Sequence, residues 1–265
     1  MDIKPKKSLG QNFLIDQNIL KKIVNIGEIE HKDNILEIGP GTGNLTKFIV
    51  AGRSNKIILI EKDKTLIASL KLKFNHYNNI KYICKDILKT ELEKTIKNNT
   101  IVFGNLPYNI SSQILIKLVK FNNQQPNYKR LVLMFQKEVG EKIISNSNTN
   151  KYSRLGIISK FRLKIKKNFL ISKNCFYPRP KVDSMLIILE PKKNDIDIKD
   201  LSNLEKITHE FFSKKRKKIK KSFQKIFKDW QSVSEKLQIN LNLRPQNLSE
   251  KQYYKITAMY EKFKF

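Results

Sequence analysis

Cysteine is almost absent: Cys84 and Cys175 are the only two in 265 residues, and they lie in different sequence contexts. That excludes a disulfide framework and a cysteine zinc set, and it fits a reducing compartment. Histidine is as scarce. His31, His76 and His209 stand apart, with no acidic or thiol partner at ligand or triad spacing, so neither a metal centre nor a nucleophilic triad is expected. No run approaches the roughly 18 apolar residues of a membrane span, and the N-terminus lacks the apolar core of a secretory signal. A soluble, cytoplasmic protein is the expectation. Internal repeats and low-complexity segments are missing too. The last shortage is acidity: 24 Asp and Glu face 53 Lys and Arg, a formal charge of +29. AT-rich coding would raise lysine by itself, but here the charge is clustered as well as large. A polyanionic partner, nucleic acid above all, is predicted.

What is present can build a core. The chain is 40% hydrophobic and long enough for one large domain or a main domain with an appendix. Its first stretch is basic at Lys4, Lys6 and Lys7, then polar around Gly10, Gln11 and Asn12. It reads as an arm whose lysines touch phosphate or are simply solvated, and whose amides can hydrogen-bond a ligand. Asp16 is placed to cap a helix with the apolar stripe Ile19, Leu20, Ile23 and Val24. Next, a buried strand from Asn34 to Ile38 runs into Gly39, Gly41 and Gly43 and then a helix start. That arrangement lets backbone approach a ligand while the helix N-terminus faces it. A dinucleotide fold wants its third glycine where this chain has Asn44, so a nicotinamide cofactor is disfavoured. Glu37 adds a carboxylate that would repel a pyrophosphate and welcome an ammonium group.

A second strand, Lys56 to Ile60, ends at Glu61, an acidic residue about 20 positions past the glycines, placed to accept ribose hydroxyls. A third, Ile80 to Cys84, leads to Asp86, which can accept from an adenine amino group or cap a helix. The fourth delivers Asn105-Leu106-Pro107-Tyr108. An amide, a proline and an aromatic at the carboxyl edge of a sheet set hydrogen-bond acceptors beside a flat stacking surface; as a bare tetrapeptide they would also pass for a turn. Ser111 can cap the next helix. A fifth strand over Arg130 to Phe135, helices around Glu138 to Ser145 and Tyr152 to Phe161, and strands near Lys167 to Ile171 and Asp183 to Leu189 continue the pattern. Between the last two, Phe176 to Ser184 holds two prolines and reads as a stiff extended connection. Its Phe176, Arg179 and Lys181 suit a base and its phosphate, or form a structural corner.

The alternation predicts a doubly wound α/β domain over 1–191. Lys192 to Asp200 reads as a linker, and a helical period over the rest of 192–265 predicts a small all-α domain. There Lys214, Lys215, Arg216, Lys217 and Lys218 form the densest charge run, expected to wrap a helix that also carries aromatics and to face RNA backbone, although such runs are often solvated faces. Ser249 and Gln252 stand at capping-box spacing before the last helix.

With these residues in view, the chain resembles the ribosomal RNA adenine dimethyltransferase family. The matches are Ser8 to Leu14, Glu37 to Gly43, Asn105 to Tyr108, Phe176 to Ser184, and Arg244-Pro245 with Leu248-Ser249, colinear over nearly the whole chain. The resemblance implies a Rossmann-like class I S-adenosylmethionine-dependent methyltransferase core with a seven-stranded, mostly parallel sheet. It implies cofactor contacts at Asn12, Leu14, Gly39, Gly41, Glu61, Asp86 and Asn105, catalysis at Asn105 through Tyr108, and no metal. The implied partner is small-subunit ribosomal RNA in an immature 30S-type subunit, met by a monomer with no membrane attachment. The arm has lysines where the family often has arginines, which weakens any bidentate phosphate contact there. Two other readings remain at this stage: a large-subunit RNA adenine dimethyltransferase of the resistance type, and a non-catalytic RNA-binding assembly factor.

Overall fold

The computed structural model describes residues 5–6, 10–52, 54–122 and 126–263. They divide into two compact units. One takes the described residues up to Asn122, then Pro126–Gly140 and Lys164–Pro191; the other takes Glu141–Leu163 and the described chain from Lys192 onward.

The first unit begins with β1 (Phe13–Leu14) and α1 (Gln17–Gly27), whose start is fixed by Asp16 accepting the Ile19 N–H at 2.9 Å. Then come β2 (Asn34–Ile38), α2 (Asn44–Ala51), β3 (Lys56–Glu61), α3 (Lys64–Lys73), β4 (Ile80–Cys84), β5 (Thr100–Asn105), α4 (Ser111–Lys120) and β6 (Arg130–Gln136). A helix, α5 (Lys137–Ile144), leads out of this unit, and α6 (Arg154–Arg162) belongs to the other. The sheet strands close with β7 (Leu163–Ile171), β8 (Phe176–Tyr177) and β9 (Ser184–Pro191).

Seven strands form one sheet in the order β4-β3-β2-β5-β6-β9-β7, and β1 pairs with β8 in a separate two-stranded ribbon. From β4 to β6 every neighbour is parallel; β9 runs antiparallel to β6. The central strands β3, β5 and β6 are near-continuous buried Ile, Leu, Val and Phe, as strands covered on both faces must be. The edge strand β7 instead exposes lysines, which discourages pairing with another chain. Leu20 and Ile23 of α1, Ile49 of α2 and Leu70 of α3 complete a core with Phe103, Val132 and Leu186. Because order reverses between β2 and β5, the carboxyl ends of those two strands open onto a crevice. Ser111 does not cap α4: the cap position is Ile110, and the Ser111 hydroxyl donates to the Tyr108 carbonyl at 3.2 Å.

In the second unit, α7 (Leu201–Phe212), α8 (Lys220–Ile226), α9 (Trp230–Lys236) and α10 (Glu250–Phe263) join α6. Phe211 packs edge-on against Tyr253 and Phe223 at centroid distances of 5.6 and 6.5 Å. The capping box is formed: the Ser249 N–H donates to Gln252 Oε1 at 2.9 Å and the Gln252 N–H to Ser249 Oγ at 3.3 Å. Two expectations are corrected. Lys192 to Asp200 is no free linker, since Ile198 is buried and the buried Glu261 carboxylate accepts the Lys199 and Asp200 N–H groups at 2.8 and 3.0 Å. The basic run 214–218 does not wrap a helix; it is the turn between α7 and α8.

Candidate active site

At the crevice the three glycines after β2 all take positive φ. Gly41 has φ +58, and a Cβ there would stand 2.8 Å from the Phe13 ring, so only glycine lets the arm close over the loop. The space beneath the arm is a cleft of about 970 Å3, open solvent included. Its walls bring together Asn12, Gly39, Gly41, Glu61, Asp86 and Asn105 through Tyr108. Residues from five separate stretches of sequence therefore meet at one place.

Glu61 sits at the end of β3, with Oε2 accepting the Gly41 N–H at 3.3 Å and Oε1 the Asp63 N–H at 2.9 Å. Burial raises its pKa, and those backbone donors oppose the rise. Each oxygen keeps a lone pair for a ligand hydroxyl. Asp86 does what a cap does: Oδ1 accepts the Leu88 N–H at 2.9 Å and opens a short 3-10 turn. Its Oδ2 meets the Lys62 ammonium at 3.0 Å. The Leu88 N–H first, and Lys62 second, hold its carboxyl below the usual range. Both ways of using Asp86 are thus compatible, because the capping carboxylate still lines the cleft.

Asn105 is fixed from a distance. Its Nδ2 donates to the Asn12 carbonyl at 2.9 Å across 93 residues, which commits the amide nitrogen; among the described residues Oδ1 has no partner. Pro107 closes a turn through its carbonyl, which accepts the Ile110 N–H at 3.1 Å. The Tyr108 hydroxyl is 2.8 Å from Ser184 Oγ, so the ring is tethered at its far end. Burial raises the Tyr108 pKa.

The arm is held by Asp63, a buried carboxylate that caps α3 and meets the Lys6 ammonium at 2.7 Å and Gln11 Nε2 at 3.4 Å. Burial would raise Asp63, but Lys6, the Thr65 N–H and Gln11 hold it below its ordinary value. Sequence reasoning missed this residue, although its place two positions past Glu61 and before a helix is a capping signal. Lys6, expected on phosphate, is thus engaged with Asp63; Lys7 lies outside the described residues.

Leu14 does not line the cleft. It is buried in β1, its carbonyl accepts Asn44 Nδ2 at 2.8 Å, and it borders a smaller cavity with Glu37. Glu37 is also turned from the cleft: it accepts the Thr46 hydroxyl at 2.7 Å, and burial first, with Glu61 repulsion added, pushes its pKa up to about 8. Glu37 is therefore bonded to Thr46 and absent from the walls of the cleft, where the sequence leads us to expect a carboxylate facing an ammonium group. Phe176 needs correcting as well. It is 3% exposed and sits in the core, while the next residue, Tyr177, is 63% exposed. Arg179 and Lys181 are exposed. In the second unit, Lys215 and Lys218 bond to Asn150 and Asn242, whereas the side chains of Lys214, Arg216 and Lys217 are open among the described residues.

The donor set fits an adenosine-bearing sulfonium ligand. The cleft walls carry the Glu61 and Asp86 carboxylates, acceptors of the kind that ribose hydroxyls and an amino group need, and Gly41 stands where a Cβ would meet the Phe13 ring. Among the described residues no three His, Cys, Asp or Glu gather as a metal site, and no helix is long and apolar enough to cross a membrane. Fold and cleft define a class I S-adenosylmethionine-dependent methyltransferase with a seven-stranded, mostly parallel sheet.

Comparison with known proteins sharpens that. The model of the ribosomal RNA adenine dimethylase family matches residues 3–262, and the chain belongs to that family. It is 49% identical over 262 residues to the ribosomal RNA small subunit methyltransferase A of Pelagibacter ubique, covering 98% of each chain. The protein of the same name from Malacoplasma penetrans is 38% identical, over 94% of this chain and 90% of its own. A dimethyladenosine transferase from Plasmodium falciparum superposes with a TM-score of 0.80 at 29% identity, over 94% of this chain and 98% of that one. The 23S rRNA methyltransferase ErmE shares the fold, with a TM-score of 0.69 at 21% identity over 94% and 99%. The chain is an enzyme of this family, and its methyl donor is S-adenosylmethionine.

Proposed function

We propose that this enzyme dimethylates N6 of two adjacent adenines near the 3′ end of small-subunit ribosomal RNA, acting as a monomer on an immature 30S-type subunit in the cytoplasm. The small-subunit assignment rests on relatives at 49 and 38% identity, both named for that substrate. The observation that carries the chemistry is the hydrogen bond from Asn105 Nδ2 to the Asn12 carbonyl at 2.9 Å, which orients the Asn105 side-chain amide at the end of β5.

The adenine must leave its stack to bring N6 into the cleft. Bound S-adenosylmethionine supplies an electrophilic methyl group. The N6 lone pair is delocalised into the ring, so the amine attacks well only as its geometry becomes tetrahedral. Asn105 Oδ1 accepts one N6–H and favours that change. The Leu106 carbonyl is better placed than that of Pro107 for the second, because the Pro107 oxygen already closes the turn to Ile110. Tyr108, held by Ser184, stacks on the flipped base, a contact worth about 1–3 kcal/mol. No residue acts as base, since the methylated amine sheds its proton readily. Glu61 holds the ribose, Asp86 the adenine amino group, and Asn12, Gly39 and Gly41 complete the cofactor wall. Leu14 contributes by anchoring the arm through Asn44. Catalysis is then positioning, where bound and oriented reactants gain most. Arg179, Lys181, Lys214, Arg216 and Lys217 meet phosphates, with Lys215 and Lys218 bracing their turn.

The test is labelled methyl transfer to immature small subunits followed by mapping of dimethyladenine. Label in large-subunit RNA, or none in either, would refute the assignment.

A further inference from the structure

The ribbon formed by β1 and β8 has two faces of different character. Its register pairs Phe13 with Tyr177 and Leu14 with Phe176, and the ladder continues as the Ile15 N–H donates to the Cys175 carbonyl at 2.8 Å. Directly paired residues share a face and successive residues alternate. Leu14 and Phe176 point into the core, at 4% and 3% exposure. Phe13, Ile15 and Tyr177 therefore share the outer face, where Ile15 is 47% and Tyr177 63% exposed.

An outward apolar face is costly unless something covers it. Two observations say what does. The chain leaving Tyr177 carries Arg179 and Lys181, both exposed and both without a partner among the described residues. An aromatic ring followed by two cations with no partner among the described residues, on a bent two-proline segment, matches single-stranded nucleic acid, whose bases stack while its phosphates pair. The other end of the face is Phe13, which lines the cleft. Tyr177 is thus paired directly with a residue of the cleft wall, about one strand spacing of 4.8 Å away.

We propose that the Phe13–Ile15–Tyr177 face is a second base site, where Tyr177 stacks the nucleotide adjoining the target adenine while Arg179 and Lys181 hold its phosphate. This rests on the reading of the protein as an RNA methyltransferase and adds to it a residue that never touches the reacting atoms. Stacking is tolerant of base identity, so the platform holds either neighbour and reads neither. With the adjoining base clamped, one adenine is presented to the cleft at a time.

The experiment uses the full chain with immature small-subunit particles, reading affinity and the ribose reactivity of the loop that bears the target adenines. Wild type should protect the target and its neighbour. Tyr177→Ala should weaken binding about 5-fold or more and restore reactivity at the neighbour alone. S-adenosylmethionine affinity by calorimetry and the melting temperature should not change, because the side chain is exposed. Tyr177→Phe should behave as wild type, since the ring and not the hydroxyl stacks. Arg179→Ala with Lys181→Ala should lower the salt dependence of binding while leaving neighbour protection at saturation. If Tyr177→Ala binds within twofold of wild type and protects the same nucleotides, the platform is wrong and the enzyme reading stands. If wild type itself protects nothing near the target, the substrate assignment falls and the platform falls with it.

Discussion

The cleft and the basic surface treat their polar groups in opposite ways. In the cleft, Asn105, Glu61, Asp86 and Tyr108 each have a fixed partner before any ligand arrives. On the surface, Arg179, Lys181, Lys214, Arg216 and Lys217 reach into solvent with none among the described residues. On the proposed function, the difference follows from what each would bind. A methyl transfer between two small groups gains from geometry set in advance, whereas a phosphate backbone is held by charge whose strength lies in counterion release and tolerates mobile side chains. Substitutions in the cleft should therefore change rate or cofactor affinity with little salt dependence, and those on the surface should change RNA affinity and its salt slope.

The strongest way to break that division is Asn105→Ala. Transfer should fall by on the order of 10³-fold or more, because the oriented acceptor is lost, with affinity for small-subunit particles unchanged. A normal rate of labelled methyl transfer would remove Asn105 from the chemistry. Next in size is Glu61→Ala, which deletes the proposed ribose acceptor and orphans the Gly41 and Asp63 N–H groups it now satisfies. S-adenosylmethionine affinity should drop about 100-fold in calorimetry, while RNA binding persists. If both ligands weakened together, cleft and surface would not be separable.

Much of this was readable from the chain, for reasons that are local. Buried Ile, Leu and Val runs marked the central strands, Asp16 and the Ser249–Gln252 pair marked helix starts, and glycines followed by a strand-end acid marked the cleft. What was not readable depends on contacts distant in sequence. Phe176 and Tyr177 are adjacent aromatics, and which one faces solvent is decided by the register against Phe13 and Leu14; a slip of one residue would exchange them. The Asn12 carbonyl that fixes Asn105 has no signature, because any residue has a carbonyl. The 214–218 run looked helical because lysine and arginine are good helix formers. The structure turns there, and Ile219 and Phe223 are buried just beyond it.

Glu37 gives a third test, separating a buried structural carboxyl from the cleft-lining Glu61. Its pKa of about 8 when folded exceeds the 4.5 of an ordinary glutamate, so between those values the folded chain binds a proton that the unfolded chain does not. Its contribution to stability is fully present below pH 4.5 and is lost as pH rises through 8. Glu37→Gln keeps an acceptor for Thr46 and removes the titration. Thermal unfolding of the variant should show a flatter pH dependence from 5 to 8, by roughly 3–4 kcal/mol across that window. An unchanged slope would mean that Glu37 is ionised in the folded chain.

The smallest effect sharpens the surface side of the division. Lys214, Arg216 and Lys217 lie on a turn whose shape is kept by others: the Lys217 N–H donates to the Lys214 carbonyl at 2.8 Å, Lys215 bonds to Asn150, and Ile219 anchors the exit. Alanine at 214, 216 and 217 should therefore leave the unit folded. If each cation meets one phosphate, the slope of log affinity against log salt should flatten by about 0.7–0.9 per residue removed, and affinity at fixed salt should fall several-fold. The rate on saturating small subunits should stay within twofold. A triple variant whose affinity falls equally at low and high salt would show that the turn contributes shape instead of charge, and the contrast with the cleft would no longer hold there.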